Sequence, residues 1–303
     1  MDKLIAKASV LLEALPYIQR FAGKTVVIKY GGNAMTEKRL QSGFAEDVVL
    51  LCSLGLRPVI VHGGGPQIAR ELAKAGIESR FVRGMRVTDP QAMRIVEKVL
   101  GGVINRDIVH LIRSHGGRAK GFSGKAGGIL KARKLRLTND GGPVADLGMV
   151  GEVSAIRPRA IKKTADDGII PVIAPVGVSS NGRSYNINAD TVAAEVAKAM
   201  GAAKLMILTD VAGIRGQTRH VQTTVSIRHA REQIRSGVIA GGMVPKVECA
   251  MAALAGGVEQ VHIVDGRVKH AVLLEIFTRK GVGTEVVLKD SKPETAVSKK
   301  TGP

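Results

Sequence analysis

An α/β fold with a mainly parallel central sheet is predicted by three features of the chain. Short apolar runs rich in β-branched residues alternate with helical stretches along most of its length. The intervals between successive strands are long enough for crossover helices, so the sheet would be covered on both faces. Two strands, Val26-Val27-Ile28-Lys29-Tyr30 and Val59-Ile60-Val61-His62, run straight into consecutive glycines and then into helical patterns.

The elements follow in order. Leu4 to Phe21 has helical apolar spacing interrupted at Pro16, with Leu4, Leu11, Leu12 and Leu15 needing cover. After the first glycine turn, Glu37 to Leu54 reads as a helix. Pro66 to Ala75 follows the second turn and stops at Gly76, a common C-terminal signal. Asp89-Pro90 opens a long helix to His115, with Asp89 as N-cap and Pro90 at the first position. Residues 118–157 change character and read as hairpins laid over the sheet, split by Asn139-Asp140-Gly141-Gly142. Ile169 to Ala174 is a strand, Ala189 to Met200 a helix and Lys204 to Thr209 a buried strand. Helices over Ser226 to Arg235 and Pro245 to Ala255 and a strand over Gln260 to Val264 complete the pattern. Lys289 to Pro303 is polar and aperiodic, and is expected to be a disordered tail.

Composition excludes several functions. No apolar run nears the ~18 residues needed to span a bilayer, and Met1 to Arg20 carries Asp2 and Glu13 without a small-residue cleavage site. Cys52 and Cys249 sit among apolar neighbours and read as reduced residues, so a cytoplasmic location is expected. The net charge of +19 raises the question of a nucleic-acid partner. The cations are spread along the chain, however, Trp is absent and aromatics are only 3%, which favours anionic small molecules over stacked bases. No cluster has zinc spacing, and neither the P-loop nor the protein-kinase motifs occur.

Four segments bear chemistry. Lys29 sits two residues before Gly31-Gly32, where it can meet a phosphate as a point charge. Gly63-Gly64-Gly65 joins a strand to a helix N-terminus, leaving backbone N–H groups open to an anion. In Asn186-Ile187-Asn188-Ala189-Asp190 the two asparagines alternate, so both face one side and suit an amide or carboxylate ligand; Asp190 either caps the following helix or carries charge into the site. Gly241-Gly242-Met243-Val244-Pro245-Lys246 puts a lysine in a first helical turn, where the dipole disfavours it unless an anion or carboxylate compensates. His62 reads as a structural histidine. Two glycine turns in one sheet suggest a phosphoryl group handled between two ligands.

These segments, with Arg83-Gly84-Met85-Arg86-Val87-Thr88-Asp89, resemble the acetylglutamate kinases of the amino acid kinase family, in order from about Leu4 to Leu288. The resemblance implies an open αβα sandwich and phosphorylation of N-acetyl-L-glutamate by ATP in arginine biosynthesis. The acyl amino acid would bind over residues 24–200, which would also dimerise, and ATP over residues 201–288. Lys29 and Lys246 would neutralise the transferring phosphoryl group and Asp190 would hold both. Gly31, Gly32, Gly63, Gly64 and Gly65 would line the phosphoryl and acceptor oxygens. Arg86 would clamp the α-carboxylate, and Asn186 and Asn188 would read the acetamide. Thr209, Asp210 and Gly213 match the nucleotide-side turn. Magnesium would be held mainly by the nucleotide phosphates and water, with no protein metal site.

The N-terminal residues 1–23 resemble the interlacing helix of the arginine-inhibited hexameric subgroup, a trimer of dimers, and Glu275 and Gly283 match its effector region. A nitrogen-signalling protein is a further candidate partner. Two loops depart from the family pattern: Ala126 stands where aspartate is frequent, and Arg215 to His220 replaces a usually acidic turn. The rival readings are an acetylaminoadipate kinase of lysine biosynthesis and a non-catalytic regulatory or nucleic-acid-binding protein on the same fold.

Overall fold

A computed structural model describes residues 1–137, 146–278 and 281–289, with the side chains of residues 3, 4, 6 and 7 outside that description. The Asn139–Gly142 turn, the Leu4 side chain and the tail from residue 290 therefore lie outside the described residues.

The chain begins with α1 (Asp2–Phe21), β1 (Thr25–Tyr30), α2 (Lys38–Ser53), β2 (Arg57–His62) and α3 (Gly65–Lys74). A short hairpin of β3 (Phe81–Val82) and β4 (Met85–Arg86) leads to α4 (Pro90–Glu97), a π-helical segment over Lys98–Ile104, and α5 (Asn105–Ser114). Next come β5 (Ala119–Phe122), β6 (Leu130–Lys134), β7 (Gly151–Ile156), α6 (Arg159–Asp166), β8 (Ile170–Ile173), β9 (Val176–Val178), β10 (Ser184–Asn186) and α7 (Ala189–Met200). The last part holds β11 (Lys204–Thr209), β12 (Thr224–Ser226), α8 (Ile227–Arg235), α9 (Met243–Ala255), β13 (Gln260–Asp265), α10 (Ala271–Phe277) and β14 (Gly283–Val287).

Eight strands form the central sheet in the order β12-β14-β13-β11-β1-β2-β8-β5, with β13–β14 its antiparallel pair. The pleat sorts side chains between two cores. Val26, Ile28 and Tyr30 of β1 and Met206 and Leu208 of β11 face one layer, with α2, α3, α4, α5 and α10. Val27 of β1 and Leu205 and Ile207 of β11 face the other, with α6, α7, α8 and α9. Helices on both faces of a mainly parallel sheet make an αβα sandwich. Lys29 is on the Val27 side of the pleat and so points at the α7–α9 layer.

Three expectations change. Residues 118–157 are not all hairpins over the sheet: β5 pairs parallel with β8 at the edge of the main sheet. Only β6 and β7 form the expected hairpin, within a second sheet ordered β10-β9-β6-β7. The run from Asp89 to His115 is helical throughout but passes through the π-helical segment, which inserts extra backbone per turn. The N-terminal helix is not broken at Pro16; α1 runs through it to Phe21.

Candidate active site

The tips of β1 and β2 and the start of α7 converge on a cavity of about 310 Å³. Lys29, Gly31, Gly32, Gly63, Gly64, Gly65, Arg86, Asn186, Asn188 and Asp190 all line it. Residues separated by more than a hundred positions thus share one wall, because β1 and β2 are adjacent and parallel and end at the same level. Parallel sheets bind ligands beyond the carboxyl ends of their strands for this reason.

Asp190 is nearly buried and lies between two ammonium groups. Lys246 Nζ donates to Asp190 Oδ2 at 2.7 Å, and Lys29 Nζ lies 3.0 Å from Oδ1. The Lys29 contact is a charge contact, since Oδ1 accepts no aligned hydrogen bond. Burial alone would raise the Asp190 pKa, but the two lysines outweigh it and hold the carboxyl below its ordinary value. Asn188 caps α7, its Oδ1 accepting from the Asp190 and Thr191 N–H groups. Asp190 is therefore not the cap, and its charge is directed into the site. Lys29, near the tip of β1, is only 8% exposed. Lys246 enters from α9, one turn past Gly242, and is outside the cavity lining.

The glycines differ in what they offer. Gly32 has φ +68°, and a Cβ there would sit 2.6 Å from Asp210 Oδ2. The space is taken by Asp210, whose Oδ1 accepts the Asn33 N–H at 2.6 Å. At Gly31 a Cβ would meet Lys29 Nζ at 2.7 Å. The Gly63 N–H donates to the Tyr30 carbonyl at 2.7 Å, so Gly63 lines the cavity without a donor to offer. This removes it from the expected oxyanion donors. Gly64 and Gly65 begin α3, whose N-terminus favours negative charge.

Arg86 is buried in the β3–β4 hairpin, 4.7 Å over the Phe81 ring. Its Nη1 donates to Ser79 Oγ and its Nη2 to the Gly65 carbonyl at 3.1 Å. Burial lowers its pKa from the ordinary value. Asn186 Nδ2 donates to Thr88 Oγ1 at 3.2 Å, and that hydroxyl donates to the Arg86 carbonyl at 2.8 Å. Ser79, Phe81 and Thr88 thus brace the side of the cavity where Arg86 and Asn186 sit. Of these, the sequence offers Thr88 only as part of the Arg83-to-Asp89 motif and gives no signal for Ser79 or Phe81 beyond the Arg83-Gly84 turn of the hairpin beside them.

Thr209, Asp210 and Gly213 do not line this cavity. Asp210 joins the first glycine turn through Asn33, whereas Gly213 packs on Thr284, whose Oγ1 would lie 2.6 Å from a Cβ there. Glu275 and Gly283 line a separate cavity of about 990 Å³ that Tyr17, Arg20 and Phe21 of α1 also border. There His262 Nδ1 lies 2.5 Å from Glu275 Oε1, and the Val282 N–H donates to Glu275 Oε2 at 2.8 Å. Burial would raise the Glu275 pKa, but His262 outweighs it and the carboxyl stays below its usual value. Among the described residues no group of three or more His, Cys, Asp and Glu could hold a metal ion, and no helix is long and apolar enough to cross a membrane.

Residues 24–265 match the model of the amino acid kinase family. An acetylglutamate kinase of Geotalea uraniireducens is 53% identical over 291 residues, covering 95% of this chain and 100% of the relative. One from Syntrophobacter fumaroxidans is 53% identical over 94% of this chain and 97% of its own. Among solved structures, an N-acetylglutamate synthase of Neisseria gonorrhoeae complexed with coenzyme A and N-acetyl-glutamate aligns over 94% of this chain with a TM-score of 0.84 at 28% identity. This chain spans only 64% of that synthase. A carbamate kinase of Giardia lamblia shares the fold at a TM-score of 0.59, 17% identity and 88% coverage of this chain against 99% of its own. On the match of the family model and on relatives aligned over both halves of the sandwich, the chain belongs to the amino acid kinase family.

Proposed function

We propose that this chain transfers the γ-phosphoryl group of ATP to the γ-carboxylate of N-acetyl-L-glutamate, giving N-acetyl-L-glutamyl 5-phosphate, in the cytoplasmic synthesis of arginine. The observation that carries it is the Lys29–Asp190–Lys246 bridge at the edge of a glycine-lined cavity that also holds Arg86. The acceptor carboxylate is already an ionised nucleophile and needs no general base. The barrier is the approach of two anions, so positioning and charge neutralisation carry the catalysis.

Two lysines on one carboxylate leave positive charge in excess where the phosphoryl group crosses. Asp190 fixes both ammonium groups in advance, so little reorganisation is required in the transition state. Gly32, Gly64 and Gly65 would present N–H donors to the phosphoryl and acceptor oxygens. Arg86, braced by Ser79 and the Gly65 carbonyl, has further N–H donors for the substrate α-carboxylate. Asn186 and Asn188 would read the acetamide, with residues 24–200 carrying the acyl amino acid. ATP would lie over residues 201–288, approached by Thr209, Asp210 and Gly213. Magnesium would arrive on the ATP phosphates, neutralising their charge, and no residue of this chain is assigned to it.

The same reading extends to regulation: L-arginine would bind beside Glu275 and Gly283, and α1 would join dimers into a hexamer. Its support is that α1 borders the Glu275 cavity while Leu11 and Leu12 remain 72% and 67% exposed. A coupled ADP-release assay over acetylglutamate, acetylaminoadipate, glutamate and aspartate tests the activity. Preferential turnover of acetylglutamate supports it, preference for acetylaminoadipate moves the chain to the lysine-type reaction, and no turnover with any acceptor overturns it.

A further inference from the structure

His62 is completely buried at the tip of β2, directly below the second glycine turn. Its Nδ1 lies 2.8 Å from the carbonyl of the next residue, Gly63. Its Nε2 lies 3.2 Å from Asn105 Nδ2, which also donates to the Val172 carbonyl at 3.0 Å. These contacts admit one consistent proton assignment. A carbonyl can only accept, so Nδ1 carries the proton and donates to Gly63. Nε2 is then the acceptor for one Asn105 N–H, and the other N–H goes to Val172. Burial lowers the His62 pKa to about 4, so this neutral tautomer persists at neutral pH.

The consequence falls on the next peptide group. In a trans peptide the N–H of Gly64 points opposite to the C=O of Gly63. A Gly63 carbonyl held toward the buried ring therefore turns the Gly64 N–H away from it, toward the cavity that Gly64 lines. The rest of the turn is equally constrained. The Gly63 N–H is held by the Tyr30 carbonyl, and the Gly64 carbonyl accepts the Ile68 N–H at 2.9 Å. Gly64 Cα is walled by Leu100 and Ile104 of the π-helical segment, whose methyl groups would lie 2.7 and 2.5 Å from a Cβ. Ile104 and Asn105 are consecutive, so the end of the π-helical segment braces the turn and the histidine together.

We propose that His62 and Asn105 are positioning residues for phosphoryl transfer, fixing the Gly63–Gly64 peptide so that the Gly64 N–H faces the oxygens of the transferring group. Neither side chain touches a substrate. The proposal rests on the phosphoryl-transfer reading given above, and the test separates the two.

Two substitutions of similar polarity divide the histidine. His62→Asn keeps a donor near the place of Nδ1, whereas His62→Gln keeps a polar group near Nε2 and loses the Gly63 contact. Both leave altered packing, so both are expected to lower the melting temperature. His62→Gln should reduce kcat by about 10²-fold with the KM values for acetylglutamate and ATP within about threefold, because a donor aimed at the transition state is misplaced. His62→Asn should recover at least about tenfold of that loss. Crystal structures should show the Gly63 carbonyl in place in His62→Asn and rotated in His62→Gln. Equal kcat in the two variants, a rise in KM alone, or an unmoved Gly63 carbonyl in His62→Gln would overturn the proposal. If the unsubstituted protein phosphorylates no acceptor, the functional reading fails, and the two crystal structures still decide whether His62 sets the peptide.

Discussion

Lys29 Nζ reaches to within 3.0 Å of Asp190 Oδ1 from the middle strands of the sheet, although the lysine is 8% exposed and the aspartate 4%. The contact arises from the pleat. Lys29 shares its side of β1 with Val27, which packs in the layer of α7, the helix that begins at Asp190's neighbour Ala189. A cation at an apolar position of a central strand is stabilised only by such a partner.

Lys29→Ala and Lys246→Ala are each expected to lower kcat by roughly 10²–10⁴, about 3–5 kcal/mol of transition-state stabilisation. Stability should separate them. Lys29 is the more buried cation, so its loss removes packing as well as charge and lowers the melting temperature more than Lys246→Ala. Turnover of both variants close to that of the unsubstituted protein would end the assignment.

Arg86 has a different expected signature. Arg86→Lys should raise the KM for acetylglutamate about tenfold or more and leave the KM for ATP nearly unchanged. A lysine cannot reproduce the fork that holds Ser79 and the Gly65 carbonyl while offering donors to a carboxylate. Equal changes in the two KM values would assign Arg86 to bracing the hairpin alone.

The pH dependence of stability has a calculable contribution from His62. Its folded pKa, about 4, is below the ordinary 6.5, with burial the cause. The unfolded chain therefore binds the proton first as pH falls. The stabilisation is complete above pH 6.5 and is lost on descending toward 4, by roughly 3 kcal/mol in total. Asp47 acts in the opposite sense: burial raises its carboxyl to about 6, against the pull of His270. Urea unfolding between pH 7.5 and 4.5 should therefore be compared between the unsubstituted protein and His62→Asn, in which the Asp47 contribution cancels. A shallower fall in the variant supports the neutral buried histidine; identical slopes refute it.

The parallel sheet and most helix limits were legible because β1, β2, β11 and β13 are short, mainly apolar runs with clear stop signals. The second sheet was not, since β9 and β10 are three residues each and acquire their identity only by pairing. The π-helical segment was also hidden. Apolar spacing across Lys98–Ile104 fits a continuous α-helix equally well, and the difference lies in the backbone hydrogen bonding of the folded segment. Lys29, Asp190, Arg86 and the glycines could be chosen by residue type and motif. Ser79, Thr88 and Asn105 could not, because their importance comes from side-chain partners that only the folded chain brings to them: Arg86 across the short hairpin for Ser79, and Asn186 and His62, distant in sequence, for the other two.

The N-terminal helix yields the last prediction. On α1, Ile5, Val10, Leu11, Leu12 and Leu15 are 57%, 64%, 72%, 67% and 43% exposed, while Phe21 at its end is 3% exposed. The helix is therefore tied to the rest of the chain at one end and leaves these described apolar side chains uncovered, which a second chain would bury. Its fixed end borders the cavity that holds Glu275 and Gly283, so a movement of α1 would reshape that cavity. An effector that binds there can shift an assembly only by favouring one arrangement of α1 over another. Removal of residues 1–20 should leave active dimers, seen by light scattering, with arginine inhibition weakened about tenfold or more. Glu275→Ala should weaken inhibition similarly while keeping the hexamer, since it alters the cavity without touching the exposed helix. A full-length protein that scatters as a dimer, or one whose rate is unchanged in millimolar arginine, would rule out this arrangement.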